Sequence, residues 1–290
     1  MMSSSKIDRN AARAASLGAA AAVLLVLLLP LLGWGQQGQA RAEAAATDAD
    51  PVAQVQPAPK ITGIAALEQA TAAGKYLLIL FYRNNDDSTK TMKKVIARTA
   101  AKFEGKANSI TINLTDVAER EIVAKYHVEG APMPLTLVVA PTGAITGGFP
   151  LTATEEQLSG AFVSPATASC LKALQDGKLV LLCVQSASTK SNEAALKGVQ
   201  EFKADARYAQ FTEVVSLDPT DAAESKFLAQ LKIDPKTGEA VTAFMAPPGK
   251  VIARYNGATD KDVLIAAFTA ATSGGCGSGG CGPSGCGPTK

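Results

Sequence analysis

Residues 74–82 have the sequence Gly-Lys-Tyr-Leu-Leu-Ile-Leu-Phe-Tyr. The glycine and lysine stop the helical spacing of apolar residues that precedes them, and seven apolar or aromatic residues then follow without a break. A run of this length that shows no polar alternation is typical of a strand buried on both faces of a sheet. The stretch therefore predicts a central strand that follows directly after a helix.

The pattern on either side of this strand predicts a mixed α/β domain. Helical spacing, alternation and turn residues give the order helix, strand, helix, strand, helix, strand, strand, helix. The predicted elements span residues 61–73, 76–82, 89–103, 109–114, 117–126, 135–140, 144–149 and 154–162. This order indicates helices packed on a mixed sheet, with a hairpin at one edge.

The second half of the chain repeats this order. Gly74-Lys75 returns as Gly177-Lys178, an offset of 103 residues, and the turn that ends at Gly143 returns at Gly249, an offset of 106 residues. Self-similarity with so little drift indicates two copies of one unit. We therefore predict α/β domains at residues 61–163 and 164–272.

These patterns resemble the thioredoxin fold, most specifically at residues 74–82 and 128–137. In that family a cis-proline stands just before the strand of the edge hairpin, and the bond before it presents backbone groups to an extended partner chain. Pro134 occupies this place, with Met133 as the preceding residue and Pro132 as the second candidate. The resemblance implies two thioredoxin-like domains in tandem, with a partner-binding loop at Met133 and Pro134.

The resemblance also identifies the place where thioredoxins carry a Cys-x-x-Cys pair. Here that place is occupied by Asp86, Asp87, Ser88 and Thr89, and in the second copy by residues 189–192, all without sulfur. The resemblance thus implies that neither copy is a thiol-disulfide enzyme of the usual kind, and no catalytic residue is predicted. The two aspartates and the serine are well suited to cap the helix that follows.

Composition excludes several classes of function. The chain has 28 basic and 26 acidic residues, a net charge of +2, so we expect no binding to nucleic acid through phosphate neutralisation. Its single histidine, His127, excludes zinc sites built on two or three histidines. Nothing in the sequence supplies His127 with a neighbouring nucleophile.

The N-terminal residues have the features of an export signal. Basic residues are followed by an uncharged apolar run at residues 17–32, and Ala40-Arg41-Ala42 offers a small-x-small cleavage pattern. We expect a signal peptide or membrane anchor at residues 1–42 and a flexible linker at 43–60. The protein is then exported to the periplasm or cell envelope, attached to the membrane through residues 17–32 if the segment is not cut.

Five cysteines divide into two groups. Cys170 and Cys183 fall on a helix face and in a buried strand of the second copy, where core packing is the default and a disulfide between them is left open. Cys276, Cys281 and Cys286 lie in a Gly/Ser/Pro-rich tail, residues 273–290, which is predicted to be disordered. Their thiolates suit Cu(I) or Zn, and they equally suit disulfide exchange with an envelope partner.

These observations lead to one function and two alternatives. The predicted function is that of an exported, redox-inactive binding or adaptor protein, which captures an extended partner protein in the cell envelope at Met133 and Pro134. The first alternative is handling of Cu(I) or Zn by the tail. The second is thiol-disulfide exchange in which the tail is the reactive element.

Overall fold

The computed structural model describes residues 60–273. The predicted signal or anchor, the linker up to residue 59 and the tail from residue 274, with its three cysteines, lie outside the described residues. Within residues 60–273 no helix is both long and apolar enough to cross a membrane.

The first domain contains four strands and four α-helices. In chain order they are α1 (Gly63–Ala72), β1 (Tyr76–Tyr82), α2 (Asp87–Lys102), β2 (Ala107–Asn113), α3 (Arg120–Tyr126), β3 (Leu135–Val139), β4 (Ile145–Pro150) and α4 (Glu155–Gly160). The predicted order is therefore observed, with boundaries that differ by a few residues. The helix predicted at 117–126 is divided into a 3-10 turn, Val117–Glu119, and α3.

The second domain has the same order of helices and strands. Its elements are α5 (Pro165–Gln175), β5 (Leu179–Val184), α6 (Asn192–Ala204), β6 (Thr212–Leu217), α7 (Ser225–Gln230), β7 (Val241–Ala246), β8 (Lys250–Asn256) and α8 (Lys261–Ser273). A 3-10 turn, Ala222–Glu224, precedes α7 as its counterpart precedes α3.

Each domain is built on a four-stranded mixed sheet. The strand orders are β2-β1-β3-β4 and β6-β5-β7-β8. The first two strands of each domain run parallel, and the last two form an antiparallel hairpin beside the central strand. In the described part of the chain, this is an α/β protein with a thioredoxin-like fold in each domain.

The central strands are buried on both faces, as the apolar runs predicted. In β1, Ile79 and Phe81 contact the side of the sheet that carries α1 and α3, whereas Leu78 and Leu80 contact the side that carries α2 and α4. Burying a side chain of this size contributes about 1.5–3 kcal/mol. This core holds the loops at the ends of β1 and β3 in place.

The two domains meet through several directional contacts. The Gln175 side chain donates to the Ile145 carbonyl at 2.7 Å and accepts from the Ile145 N–H at 2.9 Å, and the Thr142 hydroxyl donates to the Ala168 carbonyl at 3.3 Å. Ala140, Ala144 and Ala168 form a small apolar cluster at the same junction. The β3–β4 hairpin of the first domain is thereby attached to α5 of the second.

Candidate functional site

The predicted site residues of the first domain lie in and beside two loops at one end of its sheet. The antiparallel register pairs Phe81, near the end of β1, with Leu135, the first residue of β3. The loop after β1 and the loop before β3 therefore lie side by side. The Arg83 guanidinium in the first loop donates to the Glu129 carbonyl in the second and joins them.

Residues 86–89 form the start of α2. The Asp86 carboxylate accepts a hydrogen bond from the Thr89 N–H at 2.8 Å, and this contact holds the pKa of Asp86 below its usual range. Thr89 is buried, and its hydroxyl donates to the Asn84 carbonyl at 2.9 Å. Asp87 and Ser88 are exposed. Asp86 therefore caps the N-terminus of α2.

The loop before β3 contains the candidate partner-binding residues. The peptide bond between Met133 and Pro134 is cis. Pro134 is buried, and its carbonyl accepts from the Leu151 N–H at 2.7 Å. Met133 is half-buried, and within residues 60–273 neither its N–H nor its carbonyl takes part in a hydrogen bond. This residue therefore has one free backbone donor and one free acceptor.

In the second domain, the equivalent backbone groups are hydrogen-bonded within the domain itself. Its Ala240 carbonyl accepts from the Gly257 N–H at 2.7 Å, as Pro134 does from Leu151, so Glu239 is the counterpart of Met133. The Thr237 hydroxyl donates to the Glu239 carbonyl at 2.8 Å and accepts from the Glu239 N–H at 3.3 Å. One side chain therefore occupies both backbone groups.

A short β-bridge also joins the loop after β5 to the loop before β7. The Lys190 N–H donates to the Gly238 carbonyl, and the Lys190 carbonyl accepts from the Ala240 N–H, each at 2.9 Å. The Ser191 hydroxyl also donates to the Glu239 carboxylate at 2.9 Å. The two loops of this domain are thus bonded to each other.

Two residue differences explain why the corresponding backbone groups of the first domain, at Met133, lack these hydrogen bonds. Ala131 stands at the position of Thr237 and has no hydroxyl to offer the backbone of Met133. Pro134 stands at the position of Ala240 and has no N–H. Sequence reasoning selected Pro134 but missed Ala131, although comparing the two copies at the offset of 106 residues gives both.

Two buried glutamates were also missed. Glu119 accepts from the Gly63 N–H at 2.8 Å, and Glu224 accepts from the Ala166 N–H at 3.1 Å. Both side chains are almost fully buried and lie at the first turn of the first helix of their domain. The signal in the sequence is the repeated Asp-x-Ala-Glu at residues 116–119 and 221–224. These carboxylates hold a helix start in place.

The structure answers the open question of a Cys170–Cys183 disulfide. Both cysteines are free and buried, and they pack into core clusters on opposite faces of the second sheet. A sheet between the two sulfurs prevents the close approach that a disulfide requires. Burial raises the pKa of Cys170 to about 12, with a contribution from the Glu224 charge, and that of Cys183 to about 11. Neither is a reactive thiol.

Other candidate chemistry is sparse between residues 60 and 273. No group of three or more histidine, cysteine, aspartate and glutamate side chains in this range is placed to hold a metal ion. His127 is exposed and ends α3 with a left-handed φ of 50°. Cys276, Cys281 and Cys286, the predicted ligands of Cu(I) or Zn, lie outside the described residues.

An apolar cavity of about 510 Å³ lies away from the two loops, between α5 and α7. Leu171, Leu174 and Phe227 line it together with the buried Cys170. None of the predicted site residues reaches it.

The chain was compared with protein families, curated proteins and solved structures. A scan against protein-family models finds no match, and a search of curated proteins finds none either. Among solved structures, the chain is similar to the germline-specific thioredoxin Deadhead from Drosophila melanogaster, with 21% identity over 34% of this chain and 90% of that chain, at a TM-score of 0.28. It is also similar to chloroplastic thioredoxin z, with 13% identity over 35% of this chain and 88% of that chain, at a TM-score of 0.29.

Proposed function

We propose that this protein is an exported, redox-inactive thioredoxin-like adaptor whose first domain captures an extended segment of a partner protein at Met133. The observation that carries the proposal is the contrast between the two domains. The N–H and carbonyl of Met133 have no partner among the described residues, whereas those of Glu239 are both bonded to Thr237.

A free backbone donor and acceptor on one residue favour an extended ligand. Such a ligand pairs through its own backbone, and this mode of recognition gives affinity without requiring a particular sequence. The neighbouring Pro134 cannot donate, which leaves the Met133 groups as the pairing point of the loop. The Arg83 contact to Glu129 supports the site because it joins this loop to the one after β1.

Between residues 60 and 163 the chain has no cysteine, which supports a binding role for this loop without thiol catalysis. Residues 86–89 hold the start of α2 through Asp86 and the buried Thr89. The fully buried Leu80 stands where the thioredoxins that the chain resembles carry a buried acid for proton transfer. The two thiols of the second domain are buried with raised pKa values. Among residues 60–273, a thiol-disulfide reaction of the usual kind therefore has no nucleophile.

The test uses a random library of linear eight-residue peptides, selected on the purified protein and then synthesised singly. Ala131→Thr supplies the hydroxyl that Thr237 provides in the second domain, and Ala131→Val adds the same bulk without a hydroxyl. Two lost hydrogen bonds correspond to affinity that is about tenfold weaker or more, so we expect this loss in Ala131→Thr by fluorescence anisotropy. Ala131→Val should bind as the wild type does.

Two results would contradict the proposal. One is a selection that enriches no peptide on the wild-type protein. The other is equal affinity of the enriched peptides for the wild type and for Ala131→Thr.

A second candidate function, metal handling by the tail, is favoured by three cysteines that are each followed by glycine at a regular spacing of five residues. Soft thiolates select Cu(I) or Zn. Native mass spectrometry of the reduced protein with each metal, beside a variant with all three tail cysteines replaced by serine, tests it. A mass increment of one metal that only the parent protein shows would support it. Mixed disulfides without metal uptake would favour thiol exchange instead.

A further inference from the structure

Leu151 has a backbone conformation that leucine rarely adopts. It follows β4 directly, and its φ of 66° lies in the left-handed region, where a side chain with a Cβ is crowded by the following carbonyl. Glycine avoids this crowding, and the equivalent residue of the second domain is Gly257, with a φ of 78°. The first domain therefore carries a leucine where the backbone favours glycine.

The side chain of Leu151 is also left largely in water. It is 52% exposed, one of six large apolar side chains in residues 60–273 that are exposed. Of these six, Leu151 has a positive φ and the other five do not. Backbone strain of this kind tends to occur at functional sites. Because the Leu151 side chain is half exposed, its packing against the core contributes little stability to offset the strain.

The position of Leu151 links it to the candidate site. Its N–H donates to the Pro134 carbonyl at 2.7 Å, so its backbone lies beside the residue that follows Met133. Because this hydrogen bond holds Leu151 beside Pro134, an extended segment paired with Met133 would run close to the exposed leucine. Met133 would then supply hydrogen bonds to that segment and Leu151 an apolar contact.

We propose that Leu151 is a specificity-determining contact of the capture site, and that the partner segment carries an aliphatic or aromatic side chain that packs on it. The inference rests on the proposed function, because it names the chemistry of the segment that Met133 would hold. Backbone pairing alone accepts any sequence, whereas an apolar contact beside it selects among sequences.

The test measures stability and binding in the same variants. Leu151→Gly removes the crowding and the apolar contact together. We expect the midpoint of thermal unfolding to be unchanged or raised by up to about 4 °C, and peptide affinity to fall about fivefold to tenfold. If Leu151 only supported the fold, its replacement would lower both the unfolding midpoint and the peptide affinity. A loss of affinity without a loss of stability therefore identifies a binding role.

Three further variants isolate the apolar contact. Leu151→Asn tolerates the left-handed conformation without an apolar side chain and should bind as weakly as Leu151→Gly. Leu151→Met keeps the apolar contact and should bind as the wild type does. Phe211→Ala removes another exposed apolar side chain, far from the loops in sequence, and should leave affinity unchanged.

The peptide selection gives an independent readout on the wild-type protein. We expect enriched peptides to share an aliphatic or aromatic residue at a fixed position, and this preference to be absent when the selection is repeated on Leu151→Gly. Equal affinity of the enriched peptides for Leu151→Gly would overturn this inference, while the loss in Ala131→Thr would leave the proposed function standing. A lower unfolding midpoint for Leu151→Gly would also overturn it, and a selection that enriches nothing would overturn both proposals.

Discussion

Replacing Glu224 with alanine tests whether the buried glutamate holds the second domain together. One carboxylate oxygen accepts from the Ala166 N–H at 3.1 Å, and the other accepts from the Ser164 hydroxyl at 2.5 Å. Both partners lie at the start of α5, next to the junction with the first domain. The variant therefore removes two charge-assisted hydrogen bonds at once.

The expected loss follows from what remains after the change. The Ser164 hydroxyl keeps a partner in Thr167 at 2.7 Å, whereas the Ala166 N–H is left buried and unpaired. A buried unpaired donor costs about 1–3 kcal/mol, and a hydrogen bond to a charged group contributes about 1.5–3 kcal/mol. We expect the free energy of unfolding of the second domain to fall by about 3 kcal/mol.

Urea unfolding followed by circular dichroism measures this loss. If the free energy of unfolding falls by about 2 kcal/mol for each molar of urea, the urea midpoint of the second domain should fall by about 1.5 M. Glu224→Gln keeps an acceptor oxygen and should lose roughly half as much. Glu121→Ala, an exposed glutamate on α3, should change the free energy of unfolding by less than about 0.5 kcal/mol. Equal losses of unfolding free energy in Glu224→Ala and Glu121→Ala would show that Glu224 does not stabilise the start of α5.

Two further predictions concern the helix cap and the buried thiols. Asp86→Ala should lower the midpoint of thermal unfolding at pH 7 by about 2–4 °C, because the Thr89 N–H loses its acceptor. Since the pKa of Asp86 is lower in the folded protein, its contribution is present above pH of about 4 and is lost as pH falls through the folded value, so the difference from the wild type should shrink in acid. A difference that does not change with pH would contradict this. In a variant with the three tail cysteines replaced by serine, Cys170 and Cys183 should resist alkylation at pH 8 and react in denaturant, because burial raises the pKa of both thiols. Rapid labelling of the folded protein would show that the thiols are accessible.

Much of the fold follows from local patterns in the sequence. The apolar run at residues 76–82 becomes a strand buried on both faces, and Asp86 caps the helix after it, because the strand pattern and the cap are both encoded by residues close together in the chain. The order of helices and strands in both domains follows in the same way. The helix predicted at 117–126 was wrong in its first turn, because the Asp116 side chain accepts from the Ala118 N–H and Glu119 turns inward to Gly63.

The candidate site was predicted only in part. Met133 and Pro134 could be selected from the proline before an apolar strand. The absence of hydrogen bonds at the Met133 backbone was not predicted, because it depends on a missing hydroxyl at position 131. It became evident only by comparison with Glu239, whose backbone groups are bonded. Leu151 was not selected from the sequence, although the offset of 106 residues pairs it with Gly257, because its positive φ is set by the turn after β4.

The sequence by itself determined that this chain forms two α/β domains with a buried central strand in each, because the periodicity of apolar residues selects helices and strands locally. The tertiary structure decided which of these residues meet. It placed Cys170 and Cys183 on opposite faces of a sheet, brought Glu224 to a helix start 58 residues earlier, and set Leu151 beside Pro134. Such contacts depend on strand register and on the packing of segments distant in the chain, which local patterns do not specify.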